Sequence, residues 1–161
     1  MLAFGRGDDV DGMMPMSVSD DMGATWQVSA SVFPPISGGQ RLVLERLQEG
    51  PLFFASYANH PMAITDASGA ERTITGLYCA VSFDEGKTWP VRRVVSDDRP
   101  DHDIETMDGH MRPVGFDKGE PAGYLAVWQA RNGLIHLIGS RAHHTFNLAW
   151  AKTLPGAEPA S

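Results

Sequence analysis

The chain has 161 residues, enough for one domain with a core, and its 42% hydrophobic and 20% charged residues are ordinary for a globular protein. A formal net charge of −7, with acidic residues scattered along the chain, gives no footprint for nucleic-acid phosphates or an anionic membrane. No apolar run approaches the roughly 18 residues that span a bilayer, and the single Cys79 excludes a disulfide framework and a cysteine-rich zinc site.

In chain order, alternation of apolar and polar residues predicts strands over 2–4, 14–19 and 26–32, then breakers at Pro34-Pro35 and Ser37-Gly38-Gly39. A four-strand unit follows, over 40–47, 52–57, 76–82 and 91–95, with residues 59–75 as a polar hairpin or loop inside it. Cys79 lies in the apolar run 77–81 and reads as a buried, inert thiol. After a break at 96–103, a third unit is expected over 109–116, 124–129, 134–140 and 146–151. The three units span about 1–33, 37–96 and 104–152; residues 153–161 read as a disordered tail, and no helix is expected.

Two segments repeat. Ser19-Asp20-Asp21-Met22-Gly23-Ala24-Thr25-Trp26 and Ser82-Phe83-Asp84-Glu85-Gly86-Lys87-Thr88-Trp89 share the pattern S-x-D-x-G-x-T-W, 63 residues apart. Five fixed positions coincide at a given start roughly once in ten million tries at average residue usage. Each copy follows a strand-like run. The Asp carboxylate is suited to accept backbone N–H groups in a tight turn, Gly supplies positive φ, and Thr-Trp opens the next strand with an indole available to cover the core. Ser19, Asp21, Gly23, Thr25, Trp26 and Ser82, Asp84, Gly86, Thr88, Trp89 are therefore read as structural staples, not catalysts. The turn over 140–146 stands where a third copy is expected but lacks the Asp and Gly.

These residues resemble the Asp box, or bacterial neuraminidase repeat, of sialidase-like β-propellers. The runs 123–129, 132–138 and 146–150 resemble the C-terminal part of such proteins. The resemblance implies an all-β fold: a six-bladed propeller when complete, of which this chain supplies two to three four-stranded antiparallel blades. Six blades of about 60 residues need roughly 360 residues, so the chain is expected to be a fragment starting inside a blade, completed by missing N-terminal blades or by self-association. The resemblance further implies a secreted or periplasmic protein. It also implies an exo-glycosidase in which three arginines hold a sugar carboxylate, a Tyr–Glu pair supplies the nucleophile and an Asp is the acid/base. The chemistry is apt, because planar guanidinium groups grip a carboxylate bidentately.

Arg41 is the first candidate for such a role. It follows Ser-Gly-Gly-Gln and enters an apolar strand expected to line the axis. Arg6, in Phe-Gly-Arg-Gly-Asp-Asp, is the second, and Gln40 is placed to bond a sugar hydroxyl. Residues 101–110 concentrate acids and histidines, so Glu105 and Asp108 are candidate catalytic carboxylates; their spacing fits no calcium or zinc motif, and the segment reads mainly as a solvated loop. His136 reads as a core or rim histidine, and His143 and His144 fall in the degenerate turn. None of Tyr57, Tyr78 and Tyr124 has a carboxylate close behind it in sequence, and the family pattern carries Tyr where His144 stands. No phosphate loop, nucleophile elbow or CxxC is present, so neither cofactor nor metal is expected. The expected partner is a glycan of sialoside type, with the fragment alone inactive; the alternative is a non-catalytic module that binds a glycan or protein at the same surface.

Overall fold

The computed structural model describes residues 1–96 and 99–156. It is all-β apart from one helical turn, with several small antiparallel sheets, none of them closed. The first sheet contains β1 (Leu2–Phe4), β2 (Pro15–Val18) and β3 (Gln27–Ala30), in that order. The middle sheet contains β4 (Val43–Arg46), β5 (Leu52–Thr65), β6 (Glu71–Ser82) and β7 (Val91–Val94). A separate hairpin pairs β8 (His102–Glu105) with β9 (Met111–Val114). The last sheet contains β10 (Ala126–Gln129), β11 (Leu134–Ile138) and β12 (His143–Asn147), and the helical turn α1 (Leu148–Ala151) follows.

The middle sheet is buried on both faces, which is why residues 52–58 of β5 are buried without alternation. Phe54 faces the first sheet, where its ring stacks on Phe33 at 4.1 Å and meets Phe4 at 4.9 Å and Trp89 at 5.8 Å. Its neighbour Phe53 faces the other way and meets Phe146 of β12 at 5.8 Å. One contiguous core results, running from Met14 and Phe33 to Ile135, Leu137 and Ala151.

Both S-x-D-x-G-x-T-W segments form the same turn. The Ser Oγ accepts the Gly N–H at 2.7 and 2.8 Å. The Asp Oδ1 accepts the Thr N–H at 2.9 and 2.8 Å, and Oδ2 accepts the Thr hydroxyl at 2.6 Å in each. The Trp Nε1 donates to the Gly carbonyl at 3.1 and 3.2 Å. Positive φ falls on two successive residues, Met22-Gly23 and Glu85-Gly86, where the pattern pointed only to the glycine. The indoles differ in surroundings. Trp89 is 5% exposed because the first sheet covers it, whereas Trp26, on the outer side of that sheet, is 41% exposed.

These hydrogen bonds hold Asp21 and Asp84 ionised, drawing each carboxyl from the usual 3.8 to about 2, with the Thr hydroxyl the leading cause. A carboxyl whose folded pKa lies below its unfolded value stabilises the fold above the unfolded pKa and loses that contribution as pH falls through the folded one. The thermal midpoint is therefore expected to fall as pH is lowered from about 4 to about 2. Asp84→Asn should flatten part of that dependence in thermal melts across this range; an unchanged slope would show that the carboxylate charge does not hold the turn.

The last sheet departs from its sequence pattern in register. β10 lies beside β4, with Gln48 N–H donating to Gln129 Oε1 at 2.7 Å and Gln48 Nε2 to the Ala130 carbonyl at 2.9 Å. β10, β11 and β12 thus stand where β4, β5 and β6 stand in the middle sheet, and β9, expected as the inner strand, pairs with β8 instead. Residues 101–110, read as a solvated loop, supply β8 and the hairpin turn. His143 and His144 lie on β12, not in a turn. The position after β12 that corresponds to the two Asp turns is taken by α1, capped by Asn147, whose Oδ1 accepts the Trp150 N–H at 2.9 Å. Asn147 lacks a downstream Gly, and Leu-Ala-Trp-Ala favours a helical turn over a hairpin. Residues 151–156 return to the core's edge, where Arg93 Nη1 donates to the carbonyls of Trp150 and Thr153 at 2.9 and 3.1 Å. Of the expected tail, 157–161 lie outside the described residues, as do Asp97 and Asp98 in the break before β8.

Candidate functional site

The Asp turns mark one end of the sheets, and the candidate residues gather at the other. On β6, Ser82 lies at the turn end and Leu77 five residues away, about 17 Å at strand rise. At the Leu77 end, residues 117–120 run against β6: Thr75 N–H donates to the Asp117 carbonyl at 2.9 Å and Leu77 N–H to the Glu120 carbonyl at 2.7 Å. This pairing requires close backbone approach. A Cβ on Gly76, which has φ of +82°, would sit 2.4 Å from the Gly119 carbonyl oxygen.

The same pairing brings Glu120 beneath the cleft. Its side chain is buried, and Oε1 accepts the Arg141 N–H at 3.1 Å, while Oε2 has no hydrogen-bond partner. Burial pushes its carboxyl above the ordinary glutamate range, although the Arg141 amide and charge oppose the shift. His144 Nε2 lies 4.0 Å from Oε2. The Tyr57 hydroxyl is also buried without a partner; burial first, and then the negative charge of Glu120, raise its pKa.

Above this floor lies an open cleft of about 500 Å³, lined by Gln40, Asn59, Tyr124, Ser140 and Arg141 among others. That volume is in the range of small-molecule sites. Gln40, 5% exposed, and Asn59 exchange amide hydrogen bonds at 2.7 Å each way, making a rigid polar wall. Ser140 Oγ accepts the Tyr124 N–H at 2.8 Å. Arg141 Nη1 donates to the Ala122 carbonyl. Arg41 is tied in by its N–H to the Gly123 carbonyl at 3.2 Å, and its guanidinium lies 4.7 Å from the ring centre of Tyr124. Arg41 Nη1 is buried with no hydrogen-bond partner, and the Tyr124 ring is the contact that offsets part of this cost.

Gln40 lines the cleft, Arg41 lies against its Tyr124 and Gly123 wall, and Arg6 joins them indirectly. The Arg6 guanidinium donates to the Gly38 carbonyl and, at 3.0 Å, to the Gln40 carbonyl, so it braces the cleft's loop. Glu105 is exposed on β8. Asp108 sits in the β8–β9 turn, bonded by the Thr106 hydroxyl and 3.4 Å from His110 Nδ1, and this turn meets the cleft side through Met107 N–H donating to the Arg141 carbonyl at 2.7 Å. Arg141, Glu120, Asn59 and Ser140 escaped the sequence reading. For Glu120 and Ser140 the signal is the glycines that crowd them: a Cβ on Gly139 would lie 2.4 Å from Glu120 Oε2, and one on Gly123 would lie 2.6 Å from Ser140 Oγ.

Among the described residues no cluster of three or more His, Cys, Asp or Glu is arranged to hold a metal, and no helix is long and apolar enough to cross a membrane. Comparison with protein-family models, with curated proteins and with solved structures finds no match for this chain. The all-β class of the fold is thus set by its own sheets, and the chemistry of the cleft by its own side chains.

Proposed function

We propose that the chain is the acid-recognising part of a sialidase-like β-propeller glycosidase, with the three larger sheets as adjoining blades and the cleft as part of an axial sugar site. The observation that carries this reading is Arg41: a guanidinium stacked on Tyr124, whose ring lines a cleft that also holds Gln40, Asn59 and Arg141. Two guanidinium groups suit a sugar carboxylate, the Gln40–Asn59 pair and Ser140 suit hydroxyls, and Tyr124 offers a ring to a sugar face. The matched Asp turns at the far end support the propeller assignment.

One observation favours the binding-module alternative. Tyr57, the tyrosine nearest a buried carboxylate, is fully buried and so is sealed from substrate. The reacting groups of a hydrolase would then come from outside this cleft.

The test is binding of sialic acid, glucuronic acid and neutral methyl glycosides to the chain, followed by NMR. The acidic sugars should bind and the neutral ones should not. Arg41→Lys keeps the charge but loses the fork, and should weaken acidic-sugar binding by about 1–3 kcal/mol, roughly five- to 150-fold. Equal affinity for acidic and neutral sugars, or no effect of Arg41→Lys, rejects carboxylate recognition. Release of 4-methylumbelliferone from its sialoside separates the two readings: binding without turnover in the protein supplied with all its blades supports the non-catalytic module.

A further inference from the structure

The register of β11 and β12 pairs His136 with Thr145 and Ile138 with His143. Side chains alternate across a strand, so His136, His143 and Thr145 emerge on one face, while Ile135 and Leu137 enter the core from the other. His136 Nδ1 lies 3.1 Å from His143 Nε2. The ring centres are 5.3 Å apart with planes inclined by 27°, which puts these two nitrogens on the facing edges of the rings. Thr145 Oγ1 is 3.5 Å from the first nitrogen and 3.4 Å from the second.

Two metal–imidazole bonds of about 2.0–2.1 Å, meeting between a right angle and a tetrahedral angle, separate their nitrogens by about 2.9–3.4 Å. The spacing of 3.1 Å falls inside that interval. In the metal-free pair one ring donates its hydrogen to the other. Moving that hydrogen to the donor ring's second nitrogen turns both facing nitrogens into lone-pair donors, with neither imidazole ionised. We propose that His136 and His143 form a transition-metal site for a borderline divalent ion of the copper(II), nickel(II) or zinc(II) kind. Water fills the remaining positions, and the Thr145 hydroxyl hydrogen-bonds one of those waters. With two neutral nitrogens and no carboxylate, the site disfavours magnesium and calcium, which seek oxygen. Copper(II) binds tightest of the first-row divalent ions at nitrogen sites. The site is separate from the sugar cleft and does not depend on the glycosidase reading.

Trp128 of β10 pairs directly with His136 and is 65% exposed, which sets an indole beside the metal. The full chain is titrated with copper(II) chloride at neutral pH, following tryptophan fluorescence and the electron paramagnetic resonance spectrum. One copper per chain should bind, with hyperfine splitting from two nitrogens and quenched fluorescence. H136Q and H143Q should each lose the two-nitrogen spectrum at one equivalent, and W128F should keep the spectrum but lose most of the quenching. Near-ultraviolet circular dichroism checks the fold of each variant, with H136N and H143N as a second pair of substitutions. A two-nitrogen spectrum that survives in both histidine variants, or no bound copper at one equivalent, overturns the assignment.

Discussion

Replacing Phe54 by Ala is expected to lower the unfolding free energy by about 3–5 kcal/mol. Its ring is fully buried and stands at the centre of an aromatic group drawn from two sheets. Phe33 stacks on it at 4.1 Å and 6°, Phe4 and Trp89 meet it at 4.9 and 5.8 Å, and Tyr78 approaches at 6.2 Å. Removing it opens a cavity that stiff neighbours cannot fill, so the loss exceeds the transfer free energy of the ring alone. Urea unfolding monitored by tryptophan fluorescence provides the measurement. A loss within the roughly 0.5 kcal/mol typical of surface positions would show that the first and middle sheets do not share this core in solution.

Gly76→Ala is expected to be nearly as damaging, and it reports on the cleft as well as on stability. Gly76 has φ of +82°, and its added Cβ would meet the Gly119 carbonyl oxygen at 2.4 Å, the Gly119 carbonyl carbon at 2.7 Å and the Glu120 carbonyl oxygen at 2.8 Å. These are backbone atoms, so no side-chain rotation relieves the clash. Left-handed backbone costs roughly 1–2 kcal/mol for a residue with a Cβ, and overpacking adds about 1–3 kcal/mol. Gly69→Ala is the matched control: its φ is +84°, yet nothing lies within 4 Å of the added methyl. The two variants share the conformational cost, and their difference isolates the contact between β6 and residues 117–120. Gly76→Ala should also displace Glu120, seen as a shifted carboxyl resonance and weakened acidic-sugar binding. Equal destabilisation by the two substitutions would mean that residues 117–120 do not seat against β6.

Much of the architecture was legible in the residues themselves. The paired S-x-D-x-G-x-T-W segments specify their turns because every partner lies within eight residues: the Asp, the Gly and the Thr find one another whatever the rest of the chain does. Most strands followed for the same reason, since alternation is a local property; β8 reads as a loop in the sequence, and Leu148–Ala151 forms a helical turn where a strand is expected. The breakers at Pro34-Pro35 and Ser37-Gly38-Gly39 likewise separate the first two sheets. Arg41 and Gln40 stood out because a polar pair enters an apolar run directly after a flexible turn.

What tertiary structure decided was partnership across long separations. Residues 109–116 carry a strand pattern that suits either β8 or β10 as neighbour, and only the assembled sheets settle it in favour of β8. Glu120 and Arg141 lie in unremarkable stretches of sequence. Glu120 meets the Arg141 amide at the cleft because residues 117–120 pair with β6, a contact that depends on two glycines more than 40 residues apart, Gly76 and Gly119. The fate of the two indoles was decided in the same way: identical turns present Trp26 and Trp89 identically, and the first sheet buries one while leaving the other in solvent. A short motif carries its own hydrogen bonds, but burial, pairing and the convergence of charges belong to whichever surface the folded chain brings against it.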